Sequence, residues 1–422
     1  MEIKQTSEVF GISNTILNDS YIDRGDLDQT IQRYLNRNMH IAVRGESKCG
    51  KSWFRQRNIP EAIVVQCRFG KSVRDIYIDA LSQLDIKLTL EETKTGVISG
   101  TIEAQATFGA QLLAKLGVKS IITSTSSDGK KTEVIGKDVN DLKFIADIIN
   151  ESGKRLVIED FHYLSVPERK AFSYDLKALW DYGCFVIIIG VWSQSNMLLY
   201  LNSDLTGRIY EMSIYWSLSD LNKVLEKGSK ALKVTFSAQI IDLLSSDCFG
   251  NVGILQTLAL KILDVEKVFV ELDEQLEINK QDSFNTAAAE YAGQLDSLYQ
   301  QFATRVSAGI RSRGDSTGIY AHAMAVIVDA SDEDLTNGLK LNEIFSIANS
   351  RQPRIQKGNL RTILNKLESL QVDSDGRGLV IAYNNSSDEI SVVDRQFLFY
   401  RKHLTMNWPW NDMIDELQVE NR

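Results

Sequence analysis

Two things are missing from this 422-residue chain: a long apolar run and an excess of positive charge. The longest apolar stretch, Phe185 to Trp192, covers about eight residues, far below the ~20 that a helix needs to cross a bilayer. The first residues, Met-Glu-Ile-Lys-Gln-Thr-Ser-Glu, carry neither a basic n-region nor an apolar h-region, so no signal peptide is expected. A cytoplasmic location with no membrane contact follows as the expectation. Cysteine is scarce. Cys49, Cys67, Cys184 and Cys248 are scattered without a C-x-x-C pair, which argues against a zinc site or a disulfide framework. The net charge is −9, so the surface as a whole does not attract nucleic acid, and DNA binding would need a local basic patch.

What is present is ordinary globular chemistry, 43% hydrophobic and 24% charged, in a chain long enough for two or three domains. A short apolar strand, His40-Ile-Ala-Val43, runs into a glycine-rich loop. A second β-branched strand lies at Ala62–Gln66, and helical spacing follows over Ser72 to Leu84. Residues 93–137 break the pattern. They are rich in Gly, Thr and Ser, and read as an insertion holding a β-hairpin, with Ile121–Ser127 and Thr132–Ile135 around a Ser-Asp-Gly-Lys turn. The alternation then resumes with a helix over 139–151, a strand at Arg155–Ile158, a helix over 167–181 and a strand over 185–191. A strand near Tyr210–Ile214 leads to a helix from Ser219 to Leu232. Strands alternating with helices predict an α/β fold, a mainly parallel sheet with helices on both faces.

The rest reads as helical. Residues 236–285 form a helical lid in this reading, and 286–318 a connecting helix. In 319–422, three helices (321–330, 340–348, 357–370) precede two strands flanking Asn384-Asn385-Ser386, the layout of a winged helix. The domain expectation is therefore 1–235 for the phosphate-binding α/β domain, then lid, connector and winged-helix-like domain.

Two motifs carry chemistry. Gly45-Glu46-Ser47-Lys48-Cys49-Gly50-Lys51-Ser52 fits G-x-x-x-x-G-K-[ST] between a strand and a helix. Glycines let backbone N–H groups wrap an anion, and the helix N-terminus adds its dipole. Lys51 is expected to reach the β- and γ-phosphates of ATP, and Ser52 to ligate Mg2+. The second motif, Arg155-Leu-Val-Ile-Glu159-Asp160, is an apolar strand ending in two carboxylates. One would orient the magnesium shell, with Glu159 as the metal-side candidate, and the other polarise the attacking water. Strand alternation points the two in different directions. Their order, Glu before Asp, reverses the usual one.

These motifs and their order resemble the AAA+ and STAND ATPases, especially the branch near the origin-recognition initiators, over roughly residues 15–265. The resemblance implies that Tyr21 and Ile22 pack a backbone turn against adenine. It also implies that Ser193 is the polar sensor after strand 185–191, and that Arg208 is an arginine finger reaching a neighbouring subunit's nucleotide. It implies a homo-oligomer and an ATPase acting as a nucleotide-controlled switch for a separate partner protein. As a stand-alone chain it resembles the ATPase subunits of bacterial antiviral or mobile-element systems. One departure is plain: the lid stretch Phe249–Gly253 lacks the arginine that many family members keep there. The alternative is an ATP-dependent DNA-binding initiator or transposition-type regulator. Arg351, Arg354, Lys357, Arg361 and Lys366 flank or lie on the third winged-helix helix, which such domains put in the major groove. Yet residues 286–422 hold 14 Lys+Arg against 18 Asp+Glu, a net of −4.

Overall fold

The computed structural model of the protein describes residues 3–24, 26–92, 98–104, 107–116, 140–192, 195–308, 317–371, 379–404 and 407–420. The chain divides into two compact units, each with its own core. One comprises residues 27–44 and 54–213. The other gathers three separate segments, 1–26, 45–53 and 214–422.

The first unit is the α/β part. It opens with α1 (Leu27–Leu35) and β1 (His40–Gly45), and α2 (Lys51–Asn58) leads into β2 (Ala62–Gln66) and α3 (Val73–Ser82). Strands β3 (Ile86–Glu92) and β4 (Ile98–Ala104) pair antiparallel as a separate ribbon, followed by α4 (Thr107–Lys115). The ribbon lies partly ahead of the expected insertion, and the hairpin placed at 121–135 falls outside the described residues. Then come α5 (Leu142–Glu151), β5 (Arg155–Glu159), α6 (Val166–Asp181), β6 (Ile187–Gly190), α7 (Met197–Leu201) and β7 (Ile209–Ile214).

The sheet order is β2-β5-β6-β1-β7, and the pairings β2·β5, β5·β6 and β6·β1 are parallel. Consecutive residues of β5 and β6 are buried, as in a sheet covered on both faces. After β1 the chain crosses to the far edge, returns strand by strand, and then passes to the other side of β1. That reversal marks the carboxyl end of β1 as the switch point where doubly wound sheets bind ligands. His40 anchors the strand's start. Its Nδ1 accepts the Val186 N–H at 2.9 Å and its Nε2 meets Leu176 O at 2.8 Å. Burial pushes its pKa down to about 4, so the ring is the neutral tautomer that donates from Nε2.

The second unit is mostly helical. Helices α8 (Leu218–Leu232), α9 (Ala238–Asp247) and α10 (Val252–Val265) each begin at a Ser or Asn whose side chain caps the first turn. Residues 236–285 are not helical throughout. Lys267 adopts a left-handed conformation just past α10, and β9 (Leu276–Ile278) pairs parallel with β8 (Val234–Phe236). Helix α11 (Gln281–Ala308) then runs through residue 285 without a break. Phe10 packs against α8 where a Cβ at Gly228 would fall 2.4 Å from its ring, so that contact requires glycine.

The C-terminal third continues with α12 (Ile319–Asp329), α13 (Asp332–Asn337), β10 (Leu339–Lys340), α14 (Leu341–Arg351) and α15 (Lys357–Gln371). Strands β11 (Ile381–Asn384) and β12 (Glu389–Val392) form the expected antiparallel pair, extended by β10 to three strands. Two further helices, α16 (Gln396–His403) and α17 (Pro409–Glu420), follow. Asp247 of α9 is almost fully buried and accepts from Lys402 at 2.8 Å and His403 at 2.7 Å. Burial would raise its pKa, but these bonds and one from Ser246 hold it at about 2.

Candidate phosphate-binding loop and associated residues

Buried Ile41, Ala42 and Val43 deliver the chain to the loop at Gly45. A Cβ there would lie 2.6 Å from Cys49 Sγ, so the first glycine is a packing requirement. Lys48 and Gly50 both take positive φ, +59° and +87°, which curls the backbone between them. Among the described residues, no acceptor takes the amides of Ser47, Lys48 or Gly50, while Cys49 N–H bonds Glu46 O at 3.4 Å. Lys51 opens α2 and is buried. Its ammonium donates to Gly45 O at 3.1 Å and Glu46 O at 2.5 Å, which holds it on the loop's own rim. Ser52 is exposed in the first turn of α2, where backbone N–H groups have no helical partner. Open amides, a tethered ammonium and a helix start suit a polyphosphate anion.

The loop is held by side chains far away in sequence. Asn251, the N-cap of α10, donates to Ser47 O at 2.8 Å while its Oδ1 accepts from Gly253 and Ile254. Gly253 lets α10 come this close, since a Cβ there would sit 2.7 Å from Lys48 Cβ. Arg24 and Trp216 both donate to Cys49 O at 3.0 Å, and the guanidinium stacks on the indole at 4.6 Å. From the start of α16, Gln396 accepts from Lys48 at 2.6 Å across 348 residues of sequence. Its neighbour Arg395 forms an ion pair with Glu46 at 2.5 Å and donates to Phe249 O. Burial pushes the Glu46 carboxyl up to about 7, against the opposing pull of Arg395 and Lys51. An arginine therefore does meet the loop, from residue 395 rather than from the stretch 249–253.

Beside the loop lies a small pocket, about the size of one water, whose lining includes Tyr21, Ile22, Arg24, Gly50, Trp53 and Trp216. Tyr21 and Ile22 are the pair that the family resemblance assigns to adenine.

In the α/β unit, Glu159 ends β5 and is buried, accepting Arg55 Nε of α2 at 3.1 Å. Asp160 takes a left-handed conformation (φ 55°) and accepts Gln66 Nε2 at 3.0 Å. The two carboxylates thus have separate partners, and the strained aspartate marks a spot where backbone cost is commonly tied to function. His162 accepts Val191 N–H at 3.3 Å and is tied into the β6 exit. Ser193 lies outside the described residues. Arg44 joins Ser213 at 2.7 Å, Ser195 at 2.9 Å and Glu211 at 3.2 Å. Arg208 donates to Asp204 O and lies 4.9 Å over the Trp180 ring.

On the C-terminal helices, Arg351, Arg354, Lys357, Arg361 and Lys366 are all exposed. Arg361 holds Asp388 through Nε at 3.0 Å and again through Nη2, and Arg351 lies 3.7 Å from Asp329.

Arg24, Arg55, Asn251, Arg395 and Gln396 were not singled out as site residues by the sequence. For Asn251 a signal existed, an Asn before an apolar helix. For the others only the fold brings them to their partners.

No protein-family model matches the chain, and no curated protein does. Solved structures similar to it include an ORC1 protein of Aeropyrum pernix in complex with DNA (TM-score 0.35, 10% identity, 89% of each chain). A second is a STAND protein with a tetratricopeptide repeat sensor from Pyrococcus horikoshii (TM-score 0.37, 12% identity, 98% of this chain and 46% of that one). A third is AMPPCP-bound DnaA from Aquifex aeolicus (TM-score 0.34, 12% identity, 82% of this chain and 89% of that one). These likenesses are distant, and the sheet's own strand order and the loop's own geometry carry the fold.

Proposed function

We propose that residues 45–52 bind ATP with magnesium and that the chain hydrolyses it, as a regulatory ATPase of the AAA+/STAND kind. The observation that carries this reading is the loop itself. Its amides at 47, 48 and 50 have no acceptor among the described residues, and the Lys51 ammonium rests on carbonyls that a phosphate oxygen would outbid. In this reading Lys51 holds the β- and γ-phosphates, and the Ser52 hydroxyl contributes to the metal site. The metal would supply charge neutralisation of the phosphates. Glu159 and Asp160 divide the remaining work, one orienting the metal shell and one the attacking water; their separate partners, Arg55 and Gln66, support two roles. Ser193 keeps the sensor role that the resemblance gives it.

Arg208 acts on a neighbouring copy's nucleotide, making the active form a homo-oligomer. ATP state would then govern a separate effector protein, in a setting such as bacterial defence. DNA binding by the C-terminal helices is the weaker alternative, because Arg361 is already engaged by Asp388. The test is calorimetry of ATP and magnesium with wild type and Lys51→Ala, followed by phosphate release. Unchanged affinity in the variant would remove the loop from nucleotide binding. For Arg208, mixing Arg208→Ala with Lys51→Ala chains should restore part of the turnover each lacks. No restoration, with turnover independent of protein concentration, would take Arg208 out of the chemistry.

A further inference from the structure

Arg208 is held in place without being neutralised. Its guanidinium lies 4.9 Å from the centroid of the Trp180 ring and donates to Asp204 O. Among the described residues that is its one side-chain hydrogen bond, and no carboxylate pairs with it. Its Nε is closed off from solvent with no acceptor. Arg44, Arg55 and Arg401 differ, since Glu211, Glu159 and Asp332 respectively supply each with a carboxylate. A ring and a carbonyl fix a guanidinium while leaving its charge to an incoming anion.

Both holding groups trace back to α6. Trp180 sits half-buried in the last turn of that helix, and its Nε1 donates to Asn38 O at 2.9 Å, which fixes the ring. Asp204 is fixed through Asn202, whose Oδ1 accepts the Asp204 N–H at 3.1 Å and whose Nδ2 donates to Ser173 O at 2.9 Å. The backbone of Arg208 is pinned as well. Its N–H donates to Leu205 O at 2.9 Å, and its carbonyl accepts the His40 N–H at 2.8 Å. An arginine ordered in this way has little rotamer freedom left to lose when it meets an anion.

We propose that Trp180 is a positioning residue for Arg208, presenting the guanidinium to the phosphates held by a neighbouring copy. The inference deepens the reading of Arg208 given above and rests on it. Trp180 itself touches no nucleotide and acts only through the arginine it carries.

The experiment measures ATP turnover against protein concentration in wild type, Trp180→Leu, Arg208→Ala and the double variant. Trp180→Leu should lower turnover about five- to tenfold, the scale of one half-exposed contact between a cation and a ring. Its calorimetric affinity for ATP with magnesium should stay within about twofold of wild type, because the phosphate loop is untouched. Trp180→Phe, which keeps a ring beneath the guanidinium, should recover most of the lost turnover. In the Arg208→Ala background, adding Trp180→Leu should change turnover by less than about twofold, since no guanidinium remains to be positioned. Trp180→Met, a second ring-free variant, carries the same comparison should Trp180→Leu not fold. Equal losses in both backgrounds mark a tryptophan that serves the fold alone and overturn the proposal. So does undiminished turnover in the ring-free variants. Wild-type turnover that ignores both protein concentration and Arg208→Ala is a different result, because it removes the trans reading of Arg208 and this inference with it.

Discussion

Glu46 and Glu159 are both glutamates held by an arginine, and they teach different things. Glu159 takes its arginine from α2, within the same compact unit and about a hundred residues away. The pair makes the end of β5 a finished piece of the α/β part. Glu46 takes its arginine from the start of α16, in the C-terminal third. Burial raises the Glu46 carboxyl to about 7 despite that partner. One pair fixes a strand end locally. The other ties the phosphate loop to a distant part of the chain.

Removing the cation that should meet phosphate is the strongest way to separate the two. Lys51→Ala should weaken ATP binding by on the order of 10²–10³-fold, as truncating one partner of a buried charge contact does. Calorimetry reads it. Glu159→Gln should do the reverse, sparing binding while slowing phosphate release by about 10²-fold, the scale of a lost proton-transfer or positioning group. Parallel losses of binding in both variants would dissolve the contrast.

The tie between α9 and α16 can be tested on stability. Asp247→Asn leaves Lys402 and His403 without their buried carboxylate and should cost about 3 kcal/mol in urea unfolding. Asp247 has a folded pKa near 2, below its ordinary value of 3.8. Its contribution is therefore complete above pH ~4 and is lost as pH falls through about 2. A variant as stable as wild type at neutral pH would show that these bonds do not hold α16 in place.

The smallest effect concerns Glu46. Its folded pKa of about 7 lies above the ordinary value of 4.5, so between about pH 4.5 and 7 the folded state holds more protons than the unfolded. Stability should fall as pH rises across that window, by on the order of 1–2 kcal/mol after allowing for its partial exposure. Glu46→Gln should flatten the slope of thermal midpoint against pH. An unchanged slope would place the titration elsewhere.

The loop and the strand Arg155–Glu159 could be read directly because their parts are consecutive. Eight residues in a row declare the loop, and an apolar strand declares its acidic end. The loop's supporting residues lay beyond such reading. Arg395 looks like any surface arginine until the fold sets it beside Glu46, and Gln396 like any polar helix start until it accepts from Lys48. Helices α13, α16 and α17 were not anticipated. Helix α16, Gln-Phe-Leu-Phe-Tyr-Arg-Lys-His, lacks the 3.6-residue apolar spacing because five consecutive residues are buried. Residues 236–285 read as helical in the sequence, yet the left-handed turn at Lys267 follows the end of α10 and a three-residue strand comes later.

The unit that contains the loop is assembled from residues 1–26, 45–53 and 214–422, whereas the other is nearly contiguous. During synthesis these two patterns impose different schedules. At ~5–20 residues per second, roughly 10–30 s separate the appearance of residue 53 from that of residue 214, and longer still passes before Arg395 emerges. The α/β unit has most of its chain in hand during that interval and can fold. The segment 45–53 has to wait, joined at both ends to folded structure but without Asn251, Trp216 or Gln396 to brace it. Nucleotide-binding competence is thus expected to arrive last on the ribosome, and a chain stalled after residue 213 should carry a folded sheet with an unbraced loop.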